Sequence, residues 1–483
     1  MVNYYSNDRN IFIKKQLVAT THNMKLLITI SLTVVIITVG INCKKFLQQE
    51  PYNRIAQADI FKDLEGTKTV LAGCYNNLRS TNYYMRDIMV YADIVGGNLK
   101  YSRISNQLLW QTYNINNDAV NNELRSFYEE AYNTIYRCNT ILENINVLSD
   151  ANTFQKNRLL ADTRTIRALV HFDLVKVFAQ AYNSTPNASH TGIVIKTGNT
   201  PASTPPAAPS TVAQVYNFIN AELDTVQLLY PNSVQIFTTG TAKGFLSADA
   251  AKALQCRVAL YQGNWSRVIT LANSLITPTY PLLTNINYIN AWRGKNILTE
   301  SIWELDFGNR IAGSLGDFYN PLSTSCQLAA TADILNLYDA ADVRSRNNLY
   351  SSNVVNGTTF FYTKKYNGIR DSANNIRLLR ISEVYLSRAE ANAQLNNLSP
   401  ALADLNIIKK RAWPAAPTFS AATQAAVLTE VLQERRRELS YEGHYLYDLT
   451  RNGQGINRTD CQASINCVVP FPSTLLAIPL PNN

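Results

Sequence analysis

The stretch QLNNLSPALADLN, residues 394–406, reads as the end of one helix, a tight turn and the start of another. Asn396 and Asn397 mark the turn, where a short polar side chain tolerates left-handed backbone. Upstream, Ala389, Ala391 and Ala393 are small enough to let paired helices approach closely. Downstream, Ala401, Leu402, Leu405 and Ile408 recur at helical spacing and supply the facing stripe. A second stretch, LYQGNWSRVITLAN at 260–273, lines up with the first, its turn at Gly263-Asn264. Two helix pairs of one kind form an internal repeat, and such units bury their apolar faces by stacking.

Working outward, the chain is mostly helical. Helices are predicted over Asp59–Arg79, over NNELRSFYEEAYNTIYRCNTILENI (121–145) and over Asn157–Ala179. TGNTPASTPPAAPST (197–211) is a surface linker by its Pro, Ser and Thr content. Ser210 or Thr211 caps the next helix, which runs to about Leu229, and 157–229 is a candidate for a further pair. The unit is like the helix-turn-helix of tetratricopeptide repeats. Between about 280 and 375 the pattern changes: ESIWELDF and TTFFYTKKY alternate like short strands, among dense Gly, Asn and Tyr. The expected fold is mainly α, with tetratricopeptide-like helix pairs and an irregular loop-rich insert carrying short strands.

The 483 residues carry a charge of +9 and are 46% hydrophobic, a globular rather than disordered composition. Charged residues are only 16%, while tyrosine reaches 27, which favours hydrogen-bonding and stacking partners over purely ionic ones. No Lys/Arg stripe, zinc-finger spacing or aromatic RNA-binding signature is present, so the basic balance reads as solvated surface and no nucleic-acid partner is expected.

Near the start, Leu26–Ile41 is apolar apart from Ser, Thr and Gly, follows Lys25, and is shorter than the about 20 residues a membrane-spanning helix needs. A positive start and a short apolar run make residues 1–42 a leader and signal peptide, with Met1 or Met24 as the start. The run ends at Cys43, followed by Lys44 and Lys45. A thiol at a cleavage point can be acylated, and each buried methylene adds about 0.8 kcal/mol of membrane affinity. Cys43 is therefore the expected lipidation site, although Asn42 stands where a small residue is usual; the alternative is an ordinary signal peptide. Residues 43–483 are expected to form a single domain. Of the remaining cysteines, Cys74, Cys138 and Cys256 read as buried small hydrophobes. Cys461 and Cys467 flank a short loop, where a disulfide and two free thiols are both open readings. No spacing suggests a metal site or a cofactor.

VLQERRRELSYEGHYLYDLTRNG (431–453) invites a catalytic reading. On a helical projection, Arg435, Glu438 and Glu442 share the face of Leu428, Val431, Leu432 and Leu439, while Arg436 and Arg437 point away. Inward charges must be paired, so the expectation is a structural network of Arg435, Glu438 and Glu442 rather than acid–base chemistry.

Several segments resemble one family. NCKKFLQQEP, DTRTIRALVHFDLVKVFAQAY, AKALQCRVALYQGNW, ESIWELDF, LYDAADVRSR, RLLRISEVYLSRAEANAQLNN with ALADLNIIKKRAW, and ERRRELSYEGHYLYDLTRNG run in the order of the SusD/RagB outer-membrane lipoproteins of Bacteroidota. His444 and Tyr445 depart from the Arg and Trp common there. The resemblance implies a cell-surface binding protein seated on a SusC-like TonB-dependent transporter, lipid-anchored at the outer membrane and probed from outside by oligosaccharides or, in some branches, peptides. It also places the ligand site near STNYYMRDIMVYADIVGGNLKYSRISNQLLWQTYN (80–114). Sugars stack their C–H faces on aromatic rings while Asn, Asp and Arg grip hydroxyls. Trp110 is the expected platform, with Tyr83, Tyr84, Tyr101, Asp93 and Asn98 beside it, and Trp292 and Tyr319 from the insert. Two other classes compete. A glycosidase would need two carboxylates about 5–10 Å apart, and no spacing singles out a pair among Asp93, Glu300, Glu304 and Asp306. A pure protein-interaction scaffold is supported by the helical repeats alone.

Overall fold

Asp63 starts the first long helix, α1 (Leu64–Leu78), by accepting a hydrogen bond from the Gly66 N–H at 2.8 Å. The computed structural model describes residues 22, 24 and 60–481, apart from 104–106, 121, 202–203, 295–296, 308–314, 321–325, 367–373 and 462–465. Cys43 and nearly all of the leader lie outside the described residues. Residues 61–483 form one compact unit. No helix among the described residues is long and apolar enough to cross a membrane.

After α1 the chain forms α2 (Asp87–Gly96), β1 (Leu99–Tyr101), the short α3 (Trp110–Tyr113), α4 (Arg125–Asn144), α5 (Thr153–Phe178) and α6 (Val212–Leu229). Helix α5 begins with a capping box, Asn152 and Gln155 satisfying one another's backbone N–H groups, and Thr211 with Gln214 does the same for α6. Helix α5 packs on α4 and on α6, the further pair expected within 157–229. Next come α7 (Ala248–Tyr261) and α8 (Trp265–Leu275), folded back on one another at Gly263, whose φ of +69° is left-handed.

The insert holds α9 (Tyr288–Arg293), β2 (Ser301–Leu305), α10 (Leu315–Tyr319), β3 (Leu328–Ala330), α11 (Ala332–Leu335), α12 (Arg346–Leu349), β4 (Tyr350–Val355), β5 (Thr358–Thr363) and β6 (Ile376–Arg380). Its strands form antiparallel two-stranded sheets rather than one large sheet: β2 with β6, and β4 with β5. Strand β3 pairs instead with the distant β1, Leu99 opposite Ala330. Helices α13 (Ile381–Gln394), α14 (Leu398–Ala412), α15 (Gln424–Leu439) and α16 (Tyr445–Arg451) follow, and β7 (Ile456–Asn457) pairs with β8 (Val468–Val469). The 394–406 turn is confirmed: Asn396 has φ +59°, and α13, α14 and α15 enclose Ala389, Ala393, Ala401, Leu405, Val427 and Val431. The fold is mainly α, with few and short strands.

Charge, not only apolar surface, fastens α15 to the insert. Arg380 at the end of β6 meets Glu300 (2.9 Å), Glu438 (2.6 Å) and Glu442 (2.7 Å). Glu438 also accepts from Arg344 (2.8 Å) and forms an ion pair with Arg411 (2.5 Å), and Glu442 accepts from Lys365 (2.6 Å). The network expected around Arg435 differs in membership. Arg435 does not pair with Glu438 or Glu442; it faces Asp448 (3.3 Å), Glu390 (3.7 Å) and the Ser387 hydroxyl (3.1 Å). Sharing a helix face sets direction but not partner, and partners from β6, α13 and α16 lie nearer. Arg437 does not point away either: it is buried against Glu434 (2.8 Å) and Glu430 (2.6 Å).

Burial alone would raise the Glu438 carboxyl, but Arg411, Arg380, Arg344 and Lys365 hold it well below the usual carboxylate value of 4.5. A depressed folded value means that this contribution to stability is present above about pH 4.5 and lost as pH falls below it. Thermal melts should therefore drop steeply below that pH in the wild type, and Glu438→Gln should start lower and fall less. Glu438→Ala, which removes a shared carboxylate from three buried guanidinium groups, should cost about 3–5 kcal/mol in denaturant titration. Arg435→Ala should lower the melting temperature without changing ligand retention; an unchanged melt would refute its structural role.

Candidate functional site

Most of the aromatic residues expected to meet a ligand are core. Helix α2 is buried at every position. Tyr83 and Tyr84 are buried and stacked at 4.6 Å, and both hydroxyls donate to Asp173 of α5, at 2.8 and 2.5 Å. Asp93 is buried, accepting from the Asn98 amide (2.7 Å) and the backbone N–H groups of Tyr441 (3.1 Å) and Gly443 (3.0 Å). Burial raises its carboxyl to about 6 against the pull of those hydrogen bonds. Asn98 is buried too, and accepts from Arg436 at 2.8 Å. Trp292 is buried, with the charged ends of Lys365, Arg377 and Arg380 at 4.8, 5.0 and 5.4 Å from its rings. Tyr319 is buried beside Tyr366 and Tyr441. Of the residues expected to contact a ligand, Tyr83, Tyr84, Tyr101, Asp93, Asn98, Trp292 and Tyr319 are all buried. Residue type was legible in the sequence, but exposure was not.

Trp110 differs. It is half-buried and opens α3, with its ring parallel to Tyr113 at 5.6 Å and edge-on to Tyr101 at 5.3 Å. Tyr101 is 1% exposed, and its hydroxyl donates to the Leu108 carbonyl. The ring is thus a ledge backed by two buried rings, with half-buried Gln107, Gln111 and Asn114 close to it along the chain. Phe318, also half-buried, lies under the Arg86 guanidinium at 5.5 Å.

Two residues that sequence reasoning missed, Arg458 and Asn466, hold this ledge. Cys461 and Cys467 form a disulfide, with sulfurs 2.04 Å apart. Within and beside that loop, Arg458 donates to the Tyr113 carbonyl (2.7 Å) and to the Asn466 carbonyl (2.8 Å), its guanidinium 4.8 Å from the Tyr113 ring centre. The Asn466 amide donates to the carbonyls of Asn114 (3.1 Å) and Ile115 (3.2 Å). These carbonyls end α3, where helical partners run out. On the other side, Asp460 accepts from Lys100 and from the Ala332 N–H, both at 2.7 Å, tying the loop to β1 and α11. Gly97 is needed here: at φ +97° it turns the chain from α2 into β1, and a Cβ would lie 2.8 Å from Arg458. The cysteine pair was the only signal in the sequence for any of this.

A recess of about 400 Å³ is lined by Trp413, Phe419, Lys409, Arg344, Glu434 and Arg437, among others. Its charges are committed to one another: Lys409 pairs with Glu430, Arg437 with Glu434 at 2.8 Å, and Arg344 with Glu434 at 2.8 Å. Among the described residues no cluster of His, Cys, Asp and Glu is arranged to hold a metal ion. His444 caps α16 from a buried position, where desolvation and the neighbouring Arg257 keep its ring well below the usual histidine value and uncharged.

Two family models match in chain order. One, described as starch-binding associating with outer membrane, matches residues 45–260; the other, the SusD family, matches residues 300–466. The chain belongs to the SusD/RagB family. A SusD-like protein of Formosa agariphila is 21% identical over 476 residues, covering 85% of this chain and 87% of its own. A SusD superfamily protein from Bacteroides vulgatus matches with a TM-score of 0.77 and 25% identity, over 87% of this chain and 96% of that one. A candidate sugar binding protein from the same species matches with a TM-score of 0.74 and 27% identity, over 87% and 95%. The matched SusD segment ends at Asn466, so it contains most of the loop that grips α3.

If Arg458 and Asn466 fix the ledge, Arg458→Ala should raise amide hydrogen exchange across residues 107–116 while leaving α13–α15 unchanged. Reduction of the disulfide should act in the same direction and less strongly, since Arg458 stays in place.

Proposed function

We propose that this SusD/RagB protein captures oligosaccharides on the Trp110 ledge and passes them to a SusC-like TonB-dependent transporter in the outer membrane. The supporting observation is the ledge itself: of the eight ligand-contact residues expected from sequence, Trp110 alone is half-open while being backed by buried aromatic rings. A sugar presents C–H groups on one face and hydroxyls at its edge, which suits a half-open ring with Gln107, Gln111 and Asn114 close to it along the chain. The family description, starch-binding associating with outer membrane, favours the same ligand class and location. A lipid on Cys43 would hold the protein at that membrane with the ledge outward, and the helix pairs would serve as the scaffold facing the transporter.

The reading is capture without chemistry. Glu300 and Glu304 are both 0% exposed; Glu300 pairs with Arg380 and Arg411, and Glu304 lies 3.7 Å from Arg377. Asp93 is equally enclosed. Carboxylates committed in this way have no open face toward a glycosidic bond, so they are poorly placed as a glycosidase pair.

Affinity electrophoresis of the chain starting at Lys44 through gels holding single polysaccharides tests this. One glycan should retard the protein, with no product formed. Trp110→Ala should weaken retention by about ten- to a hundredfold, the loss of one aromatic anchor. Retention unaltered in Trp110→Ala would move the site elsewhere, and no retention by any glycan would favour the peptide-binding branch of the family.

A further inference from the structure

The 400 Å³ recess lies beside WPAAPTFS, residues 413–420, the loop that joins α14 to α15. Its volume falls in the range of small-ligand pockets, about 300–1,000 Å³. None of its lining residues belongs to the Trp110 ledge. The loop is held in shape along its length. The Trp413 N–H donates to the Lys409 carbonyl (2.8 Å), and the Ala416 N–H to the Trp413 carbonyl (2.9 Å). The Asn406 side chain accepts from the Phe419 N–H (2.8 Å) and donates to the Phe419 carbonyl (2.9 Å). Pro414 and Pro417 restrict the backbone between these bonds. Trp413 and Phe419 are both half-buried. The Lys409 ammonium stands 5.3 Å from the Phe419 ring centre. Among the described residues, no other ring and no cation lies against Trp413, so part of its indole face is open to the recess.

The floor is charged but internally paired: Lys409 with Glu430, Arg437 with Glu430 (2.6 Å) and Glu434 (2.8 Å), and Arg344 with Glu434 (2.8 Å) and Asp342 (2.7 Å). The rim adds Asp339, Thr418 and Ser420, all exposed. Asp339 uses one carboxylate oxygen, which accepts from the Ala341 N–H at 2.9 Å. Among the described residues nothing engages its other oxygen or the hydroxyls of Thr418 and Ser420. An anion here would face the Asp339 carboxylate, and a cation would face Lys409 and Arg437. A wholly apolar ligand would strip water from Asp339 and from the partly exposed Lys409–Glu430 pair without replacing it. A neutral ligand with a C–H face and a hydroxyl edge meets each condition. Its face lies on Trp413, and its hydroxyls donate to Asp339 and exchange hydrogen bonds with Thr418 and Ser420.

We infer that the Trp413 recess is a second saccharide-binding site, independent of the Trp110 ledge. Trp413 is the stacking platform and Asp339 the principal acceptor. The chain then holds two saccharide segments at once, one at each site.

Hydrogen exchange of the purified chain, with and without maltoheptaose, cellohexaose, xylohexaose or mannohexaose, tests the assignment. At least one of these should slow exchange in residues 413–420. That protection should vanish in Trp413→Ala, require about tenfold more sugar in Asp339→Ala, and persist in Trp110→Ala. Asp339 is exposed, so its variant reads the site even where Trp413→Ala loosens the loop. Protection confined to 107–116 overturns the second site and leaves the Trp110 reading standing. Protection in neither segment overturns both. Protection at 413–420 that disappears in Trp110→Ala overturns the independence of the two sites. Protection there that is unchanged in either recess variant overturns the assignment of these residues.

Discussion

One guanidinium, that of Arg380, joins three parts of the chain that share no continuous secondary structure. It ends β6, reaches Glu300 just before β2, and meets Glu438 and Glu442 at the end of α15. Each of these groups is nearly inaccessible to water. An unpaired charge there would cost several kcal/mol, so the arrangement holds only if every member is present. Arg344, Arg411 and Lys365 complete the set, and Trp292 gives the Lys365 and Arg380 cations an aromatic face as well. The stacked helices have a repetitive apolar interface; this polar lock sets where the insert sits on them.

From that lock the chain leads to the ledge by short steps. Beyond Leu439, Tyr441 takes a left-handed φ of +66°, and its N–H and that of Gly443 both donate to Asp93 of α2. Asp93 in turn accepts from Asn98, which receives Arg436. Arg436 lies 4.0 Å from the Tyr445 ring centre. The buried helix α2 is thereby tied to α15, and β1, directly after it, carries Tyr101 beneath Trp110. A ledge assembled this way is pre-ordered, which on the proposed reading lowers the entropic cost of capture.

How much of this was legible follows from range. Helix pairs with turns at Gly263 and Asn396 show in a short window, because the 3.6-residue period, small residues and turn formers lie within it. Caps such as Thr211 are equally local. Strand β1 pairs with β3 over more than two hundred residues and is three residues long, so no window holds both halves. The partners of Arg435 were misjudged for the same reason: helical phase gives a direction, and Glu390 and Asp448 come from other helices. Tyr83 and Tyr84 are expected at a ligand because tyrosine suits sugars, and no local window shows that Asp173, about ninety residues on, accepts from both hydroxyls. Arg458 and Asn466 offered no local sign beyond the flanking cysteines.

A crystal structure of the chain with an oligosaccharide that it retains in affinity gels tests the central claim most directly. The account predicts a sugar ring lying flat on Trp110, with α3 and the Cys461–Cys467 loop unmoved and the Arg380 cluster intact. A sugar bound elsewhere with Trp110 left bare, or one that reaches the protein only after α3 rearranges, would contradict it.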